Sequence, residues 1–213
     1  MQMSIAKYTI FSCMHLHKIY DIIELPKIGG FFMLKHYLDK NRVPYFVCIG
    51  TPKNKYDSIG PRIGSSIEKL GYNVMGTMDD PVHALNLKKK LKELNKLDKT
   101  KYQIIAVDAV VSKNYYNYKI KNEPCNPGAG LNKKLSKIGE VTILVNPFYN
   151  RPNLSRFDKK RMLILNTGFS EIAANLLVSQ VVLDIQMSIE GGDPWWKTIE
   201  KTIEIASATQ TDQ

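Results

Sequence analysis

The sequence has few of the residues that build disulfide frameworks, metal sites or membrane spans. Its 213 residues include three cysteines, Cys13, Cys48 and Cys125, which are widely spaced and form no Cys-x-x-Cys pair. An odd number of scattered cysteines does not indicate a disulfide framework. The longest apolar run, residues 172–183, is interrupted by polar residues and is shorter than the roughly 20 apolar residues that span a bilayer. No signal-peptide pattern opens the chain. We therefore expect a soluble, cytoplasmic protein with no membrane partner.

Aromatic residues are absent from the most basic part of the chain. The formal net charge is +10, and residues 88–101 contain seven lysines but only Glu93 and Asp98 as acidic residues. Leu87, Leu91 and Leu94 form a helical stripe in this region, which favours a solvated lysine face over a nucleic-acid surface. Nucleic-acid surfaces that bind single strands interleave basic residues with aromatic stacking platforms. We therefore do not expect a nucleic-acid partner.

Apolar strand patterns alternate with helical patterns along most of the chain. The 44% hydrophobic content fits one globular domain spanning residues 1–213. Within it we assign residues 28–206 to an α/β core and 207–213 to a tail, and residues 1–27 to no element. The predicted strands cover residues 43–49, 72–75, 102–107 and 141–145, and the predicted helices begin near residues 31, 59, 84 and 168. This alternation predicts a mostly parallel sheet with helices packed against it.

Two aspartates lie at the carboxyl ends of predicted strands. Asp57 follows the first buried strand after a polar turn, and Asp108 directly follows the strand 102–107. Taken alone, Asp57 is better explained as a helix N-cap than as a site residue. Because open α/β sheets bind ligands at the carboxyl ends of their strands, the pair favours a shared site over two separate structural roles.

A glycine-rich loop follows the third strand. Residues 127–130 read Pro-Gly-Ala-Gly, and such a loop can present backbone N–H groups to a peptide or an anion. A plain turn has the same spacing, so the pattern alone leaves both interpretations open.

Several motifs, taken in order, are similar to those of the YyaC-type sporulation proteins of endospore-forming bacteria. The most specific is Gly-Thr-x-Asp-x-Pro-Val-His-Ala, and the resemblance extends from about residue 44 to residue 189. The matching segments are Cys48-Ile49-Gly50-Thr51, Asp57-Ser58-Ile59-Gly60-Pro61, residues 76–87, residues 104–109 and residues 127–135.

The YyaC-type family resembles the germination protease, which degrades small acid-soluble spore proteins. The resemblance implies that Asp57 and Asp108 match its two catalytic aspartates, in a three-layer α/β/α fold with a mostly parallel central sheet. Both groups resemble the hydrogenase maturation endopeptidases, which arrange two acids and a histidine around nickel. That histidine follows the second acid, whereas this chain has no histidine after His83. We therefore expect a carboxylate pair without a metal or other cofactor.

The resemblance implies a peptidase in which one carboxylate activates water and the other, protonated, acts as the acid. The Thr51 hydroxyl and the backbone N–H groups near Gly128 and Gly130 are candidates to stabilise an oxyanion. Asp79 and His83 are candidates for substrate contact, or they hold their own loop in shape.

The expected partner is a protein or peptide, with small acid-soluble spore proteins as the implied substrates, in the developing spore or the mother cell. An oligomer is compatible with the sequence. The alternative is a non-catalytic relative that binds a peptide in the same crevice.

Overall fold

The structure is a computed structural model that describes residues 34–110, 117–127, 136–147, 155, 161 and 169–191. The chain divides into two units, Met1–Phe31 and Phe32–Gln213. The described residues all belong to the second unit, so the unassigned segment 1–27 and the tail lie outside them. The assignment of the whole chain to one domain stays a prediction.

Five strands form a single, mostly parallel sheet. They are β1 (Val43–Ile49), β2 (Asn73–Met75), β3 (Tyr102–Ala109), β4 (Asn117–Lys121) and β5 (Val141–Asn146). The order across the sheet is β2-β1-β3-β5-β4, with β4 antiparallel at one edge and the other neighbours parallel. The α/β class predicted from the sequence is confirmed. The ends of the four predicted strands agree with those of β1, β2, β3 and β5 to within two residues.

Helices cover both faces of the sheet. Helices α1 (Ile59–Lys69) and α3 (Glu171–Glu190) pack on the face that carries Phe46 and Val107. Helix α2 (Leu87–Leu94) packs through Leu87 and Leu94 on the opposite face, which carries Val47 and Ala106. Successive strand residues point to opposite faces, so neighbours such as Phe46 and Val47 belong to different cores. The arrangement is three-layered, as expected.

The long apolar helix α3 is a core helix. Its buried stripe runs through Ala174, Leu177, Val178, Val181, Asp184 and Ile185. The apolar pattern of the sequence predicts that Ile172, Leu176 and Val181 are all buried. Val181 is buried, but Ile172 and Leu176 are 72% and 49% exposed, so the prediction is wrong for these two. Because α3 carries apolar residues around its whole circumference, periodicity could not locate the packed side.

By length and composition alone α3 could cross a membrane, but core helices pass the same test. In this structure α3 packs against α1.

The helix predicted near residues 31–40 is shorter than expected. Its described part is a single turn of 3₁₀-helix, Leu34–His36. Asp184 of α3 accepts a hydrogen bond from the backbone N–H of Leu34 at 3.3 Å. The Tyr37 N–H donates to the Leu34 carbonyl oxygen at 2.8 Å, which closes this turn, and residues 37–40 are not helical.

Candidate functional site

The candidate site begins where β1 and β3 end side by side. Ile49, the last residue of β1, is in register with Asp108 near the end of β3. Alternation along β3 places the Asp108 side chain on the face of Ile104 and Ala106, beneath α2. The Asp108 side chain is 7% exposed, so its carboxyl group lies in a largely water-excluded position.

Asp57 lies in the connection between β1 and α1, but it does not cap the helix. The N-cap residue is Ser58, whose side chain makes no capping hydrogen bond. Instead, one carboxylate oxygen of Asp57 (Oδ2) accepts a hydrogen bond from the backbone N–H of Thr51 at 2.9 Å. The N-cap position of α1 is thus Ser58 and not Asp57, and the Asp57 carboxylate turns back toward the end of β1.

Two glycines make this reversal of the chain sterically feasible. A Cβ atom on Gly50 would lie 1.9 Å from the carbonyl oxygen of Asp57, and one on Gly60 would lie 2.1 Å from the carbonyl oxygen of Ile49. Both distances are far inside van der Waals contact with backbone atoms. Gly50 also has φ of +148°, which other residues rarely adopt. The Asp57 connection thus folds directly against the end of β1.

The two aspartates interact electrostatically. Burial, and next the charge of Asp57, raise the pKa of Asp108 to about 7. Two nearby carboxylates cannot both ionise without a cost, so one keeps its proton to higher pH. Near neutral pH the arrangement can therefore hold a protonated acid at Asp108 beside the Asp57 carboxyl group.

A cysteine that the sequence analysis did not assign to the site contacts Asp108. The Cys125 thiol lies 3.6 Å from Oδ2 of Asp108, within reach of an S–H···O hydrogen bond. Burial, followed by the charge of Asp108, raises the pKa of the Cys125 thiol, so it stays neutral. Its position between Pro124 and Pro127, just before the glycine-rich loop, is a signal that could have pointed to it.

The loop between β2 and α2 also reaches the carboxyl end of β1. Val82 forms a parallel bridge with Ile49, and its carbonyl oxygen accepts a hydrogen bond from Gly50 N–H at 2.8 Å. His83 Nδ1 accepts a hydrogen bond from the backbone N–H of Leu85 at 3.3 Å. This bond favours the interpretation that His83 holds its own loop in shape.

The remaining residues predicted for the site are Asp79, Thr51, Gly128 and Gly130. Asp79 is exposed on the same loop as His83, and substrate contact by either residue stays a prediction. The Thr51 hydroxyl oxygen accepts a long hydrogen bond from Lys53 N–H at 3.4 Å. Gly128 and Gly130 lie outside the described residues. The proposed oxyanion contacts therefore stay predictions.

The described part of the chain holds no group of three or more histidine, cysteine, aspartate or glutamate side chains that could bind a metal ion. The expectation of a site without a metal or other cofactor stays a prediction.

Comparisons with known proteins identify two similar chains. The uncharacterized protein YyaC of Bacillus subtilis (strain 168) is 39% identical over 102 residues, which are 46% of this chain and 49% of that protein. The match thus spans about half the length of this curated relative. The [NiFe] hydrogenase maturation protease HybD from Thermococcus kodakarensis aligns over 66% of this chain and 94% of its own, with 13% identity and a TM-score of 0.38.

The sequence profile of one family matches residues 24–167, which include both aspartates and the segments that place them. That family is described as "Protein of unknown function (DUF1256)". The match covers well over half of the chain, and the chain therefore belongs to the DUF1256 family.

Proposed function

We propose that this protein is a peptidase that uses Asp57 and Asp108 as a coupled acid–base pair. The observation that carries the proposal is the placement of two interacting carboxyl groups. Asp108 is buried near the end of β3 with its pKa raised to about 7, in part by the charge of Asp57, and Asp57 is held against the end of β1 by the Thr51 N–H. Pairs of titratable groups whose surroundings separate their pKa values are typical of acid–base catalysis.

The surroundings of the two aspartates suggest their roles. Asp108 is buried and keeps its proton near neutral pH, so it is the general acid that polarises the scissile carbonyl or protonates the leaving amine. Asp57 is only half-buried, and the Thr51 N–H holds its carboxyl group at the end of β1. With Asp108 as the acid, Asp57 is the group left to act as the general base that activates water. The titration belongs to the pair, so activity reports both groups together.

The substrate class follows from the resemblance to the germination protease. The segments Asp57-Ser58-Ile59-Gly60-Pro61 and Val107-Asp108-Ala109 carry that resemblance. We propose small acid-soluble spore proteins as the first substrates to test, with action in the developing spore or the mother cell.

Cleavage of a purified spore protein by the wild type and two variants tests the proposal. Asp57→Asn and Asp108→Asn each remove one carboxylate with little change in volume, and each is expected to lower kcat at least about a hundredfold. Wild-type activity is expected to fall as the pH rises through about 7, because Asp108 then loses its proton.

Asp98→Asn is the matched control. It also removes one aspartate charge, but Asp98 is exposed in the turn before β3, at the amino end of that strand and away from the site at its carboxyl end. Its activity should equal that of the wild type. Undiminished cleavage by both Asp57→Asn and Asp108→Asn would sink the assignment.

A second candidate function is peptide binding without cleavage. The 7% exposure of Asp108 favours it, because a covered acid has to be uncovered before it reaches a peptide bond. Binding of the spore protein by the wild type, with no product at any pH between 5 and 8, would establish this alternative and exclude the peptidase.

A further inference from the structure

Cys125 is held in a fixed position beside Asp108. Its backbone N–H donates to the carbonyl oxygen of Ile138 at 2.8 Å, and its own carbonyl oxygen accepts from Ile138 N–H at 3.0 Å. The residue is 2% exposed and packs with Ile104 and Ala106 on the α2 face of the sheet. Both the backbone and the packing therefore fix where the thiol points.

The contact between the thiol and the carboxyl group has a defined chemistry. A cysteine S–H is a weak donor, and Oδ2 of Asp108 is an acceptor 3.6 Å away. Because the thiol stays neutral, it keeps its hydrogen at every pH at which the proposed pair would work. A neutral, buried thiol is neither a nucleophile nor an accessible redox sensor, so its remaining role is to donate.

We propose that Cys125 is a positioning residue, which holds the Asp108 carboxyl group at the end of β3 through an S–H···O hydrogen bond to Oδ2. Its contribution to catalysis rests on the proposed peptidase function, whereas the hydrogen bond does not. The second donor to this carboxyl group is the backbone N–H of Ala109. Among the described residues, the titratable groups that act on Asp108 are Asp57 and Cys125.

The direction of the effect follows from which form of Asp108 the thiol stabilises. A donor stabilises the ionised carboxylate, so the Cys125 bond lowers the pKa of Asp108 against the larger upward effects of burial and of Asp57. Cys125→Ala removes the donor and should raise the proton affinity of Asp108 about threefold, a move of its midpoint by about half a pH unit. Cys125→Ser keeps a donor and should leave the midpoint at or below the wild-type value.

Carbon-13 NMR titration of the aspartate carboxyl groups, with Asp108 assigned through Asp108→Asn, measures these midpoints without any substrate. Cys48→Ala is the matched control. Cys48 is also a fully buried cysteine in the sheet, but it packs on the opposite face with Phe46 and Val107. The Asp108 midpoint in Cys48→Ala should equal that of the wild type.

A second measurement uses the unsubstituted thiol. The infrared S–H stretching band of the wild type should change as Asp108 titrates, because the strength of a donated hydrogen bond depends on the charge of its acceptor. That change should be absent from Cys125→Ser and present in Cys48→Ala. The measurement does not need Cys125→Ala, so it stands even if that variant does not fold.

The outcomes separate this inference from the proposed function. A midpoint that rises in Cys125→Ala and not in Cys125→Ser supports the positioning role, whether or not any peptide is cleaved. Equal midpoints in the wild type and Cys125→Ala, or equal rises in the alanine and serine variants, would overturn it. If the wild type cleaves its substrate, the alkaline limb of its pH profile should move with the Asp108 midpoint.

Discussion

At the scale of single residues, the candidate site depends on what surrounds each carboxyl group. Asp57 and Asp108 have the same side chain, but the Asp57 carboxylate faces a backbone donor at a loop, whereas that of Asp108 is buried near the end of β3 against the Cys125 thiol. Burial disfavours the charged form, and a nearby like charge disfavours it further. The chemical difference between the two acids is therefore a property of their positions.

The raised pKa of Asp108 makes the stability of the protein depend on pH. Its pKa is about 7 in the folded state, against an ordinary value of 3.8. The folded state thus binds this proton more tightly, so the stabilising contribution is complete below about pH 4 and is lost as the pH rises through about 7. The loss is on the order of 4 kcal/mol. Asp108→Asn should remove most of this pH dependence of the free energy of unfolding.

Urea unfolding at pH 5 and pH 8 measures this effect. The wild type and the control Asp98→Asn should lose free energy of unfolding between the two values, whereas Asp108→Asn should lose clearly less. An Asp108→Asn variant that loses as much as the wild type would show that Asp108 is not protonated in the folded state near neutral pH.

At the scale of elements, the site depends on how closely α1 approaches the end of β1. Gly60 lies in the first turn of α1, where alanine would ordinarily be preferred by about 1 kcal/mol. The missing side chain lets the helix pack against the Ile49 carbonyl group. The glycine is therefore required by packing and not by helix formation.

Gly60→Ala should destabilise the protein by about 2–4 kcal/mol, because the new Cβ atom would lie 2.1 Å from a backbone oxygen and the helix would have to shift. Ser66→Ala, in the same helix, is the control and should change stability by less than about 1 kcal/mol. Thermal unfolding of both variants checks the prediction. A Gly60→Ala protein as stable as the wild type would contradict the close approach.

At the scale of the whole described fold, one buried carboxylate away from the site connects three parts of the chain. Asp184 of α3 accepts from the Tyr118 hydroxyl of β4 at 2.8 Å, from Ser188 at 3.2 Å and from the Leu34 N–H at 3.3 Å. It is 4% exposed, and burial raises its pKa. The link joins the edge strand, the long helix and the start of the described chain.

Tyr118→Phe should lower the free energy of unfolding by about 1–3 kcal/mol, because it leaves a buried acceptor without one of its donors. The control is Tyr72→Phe, since Tyr72 donates to Glu190 at the surface, where water can replace the hydroxyl group. The control should lose less than about 1 kcal/mol in urea unfolding. Equal losses in the two variants would show that burial of the Asp184 link contributes nothing to stability.

The sequence by itself determined the α/β class, the four parallel strands and the two aspartates near strand ends. Apolar runs of strand length, separated by helical periodicity and glycine-containing turns, have few other solutions, and parallel strands bring their carboxyl ends to one edge. The basic helix α2 was also predictable, because the spacing of Leu87 and Leu94 separates a packed side from a lysine side.

Tertiary structure decided which way each side chain points and what it meets. The turn of Asp57 toward Thr51 depends on a local reversal of the chain. The Cys125–Asp108 contact, across 17 residues, and the buried side of α3 depend on contacts between segments distant in sequence. Local propensity contains no information about such contacts, since the same aspartate caps a helix or faces a strand end depending on the neighbours that packing supplies. The raised pKa of Asp108 could not be predicted for the same reason, because its burial and its distance from Asp57 exist only in the folded chain.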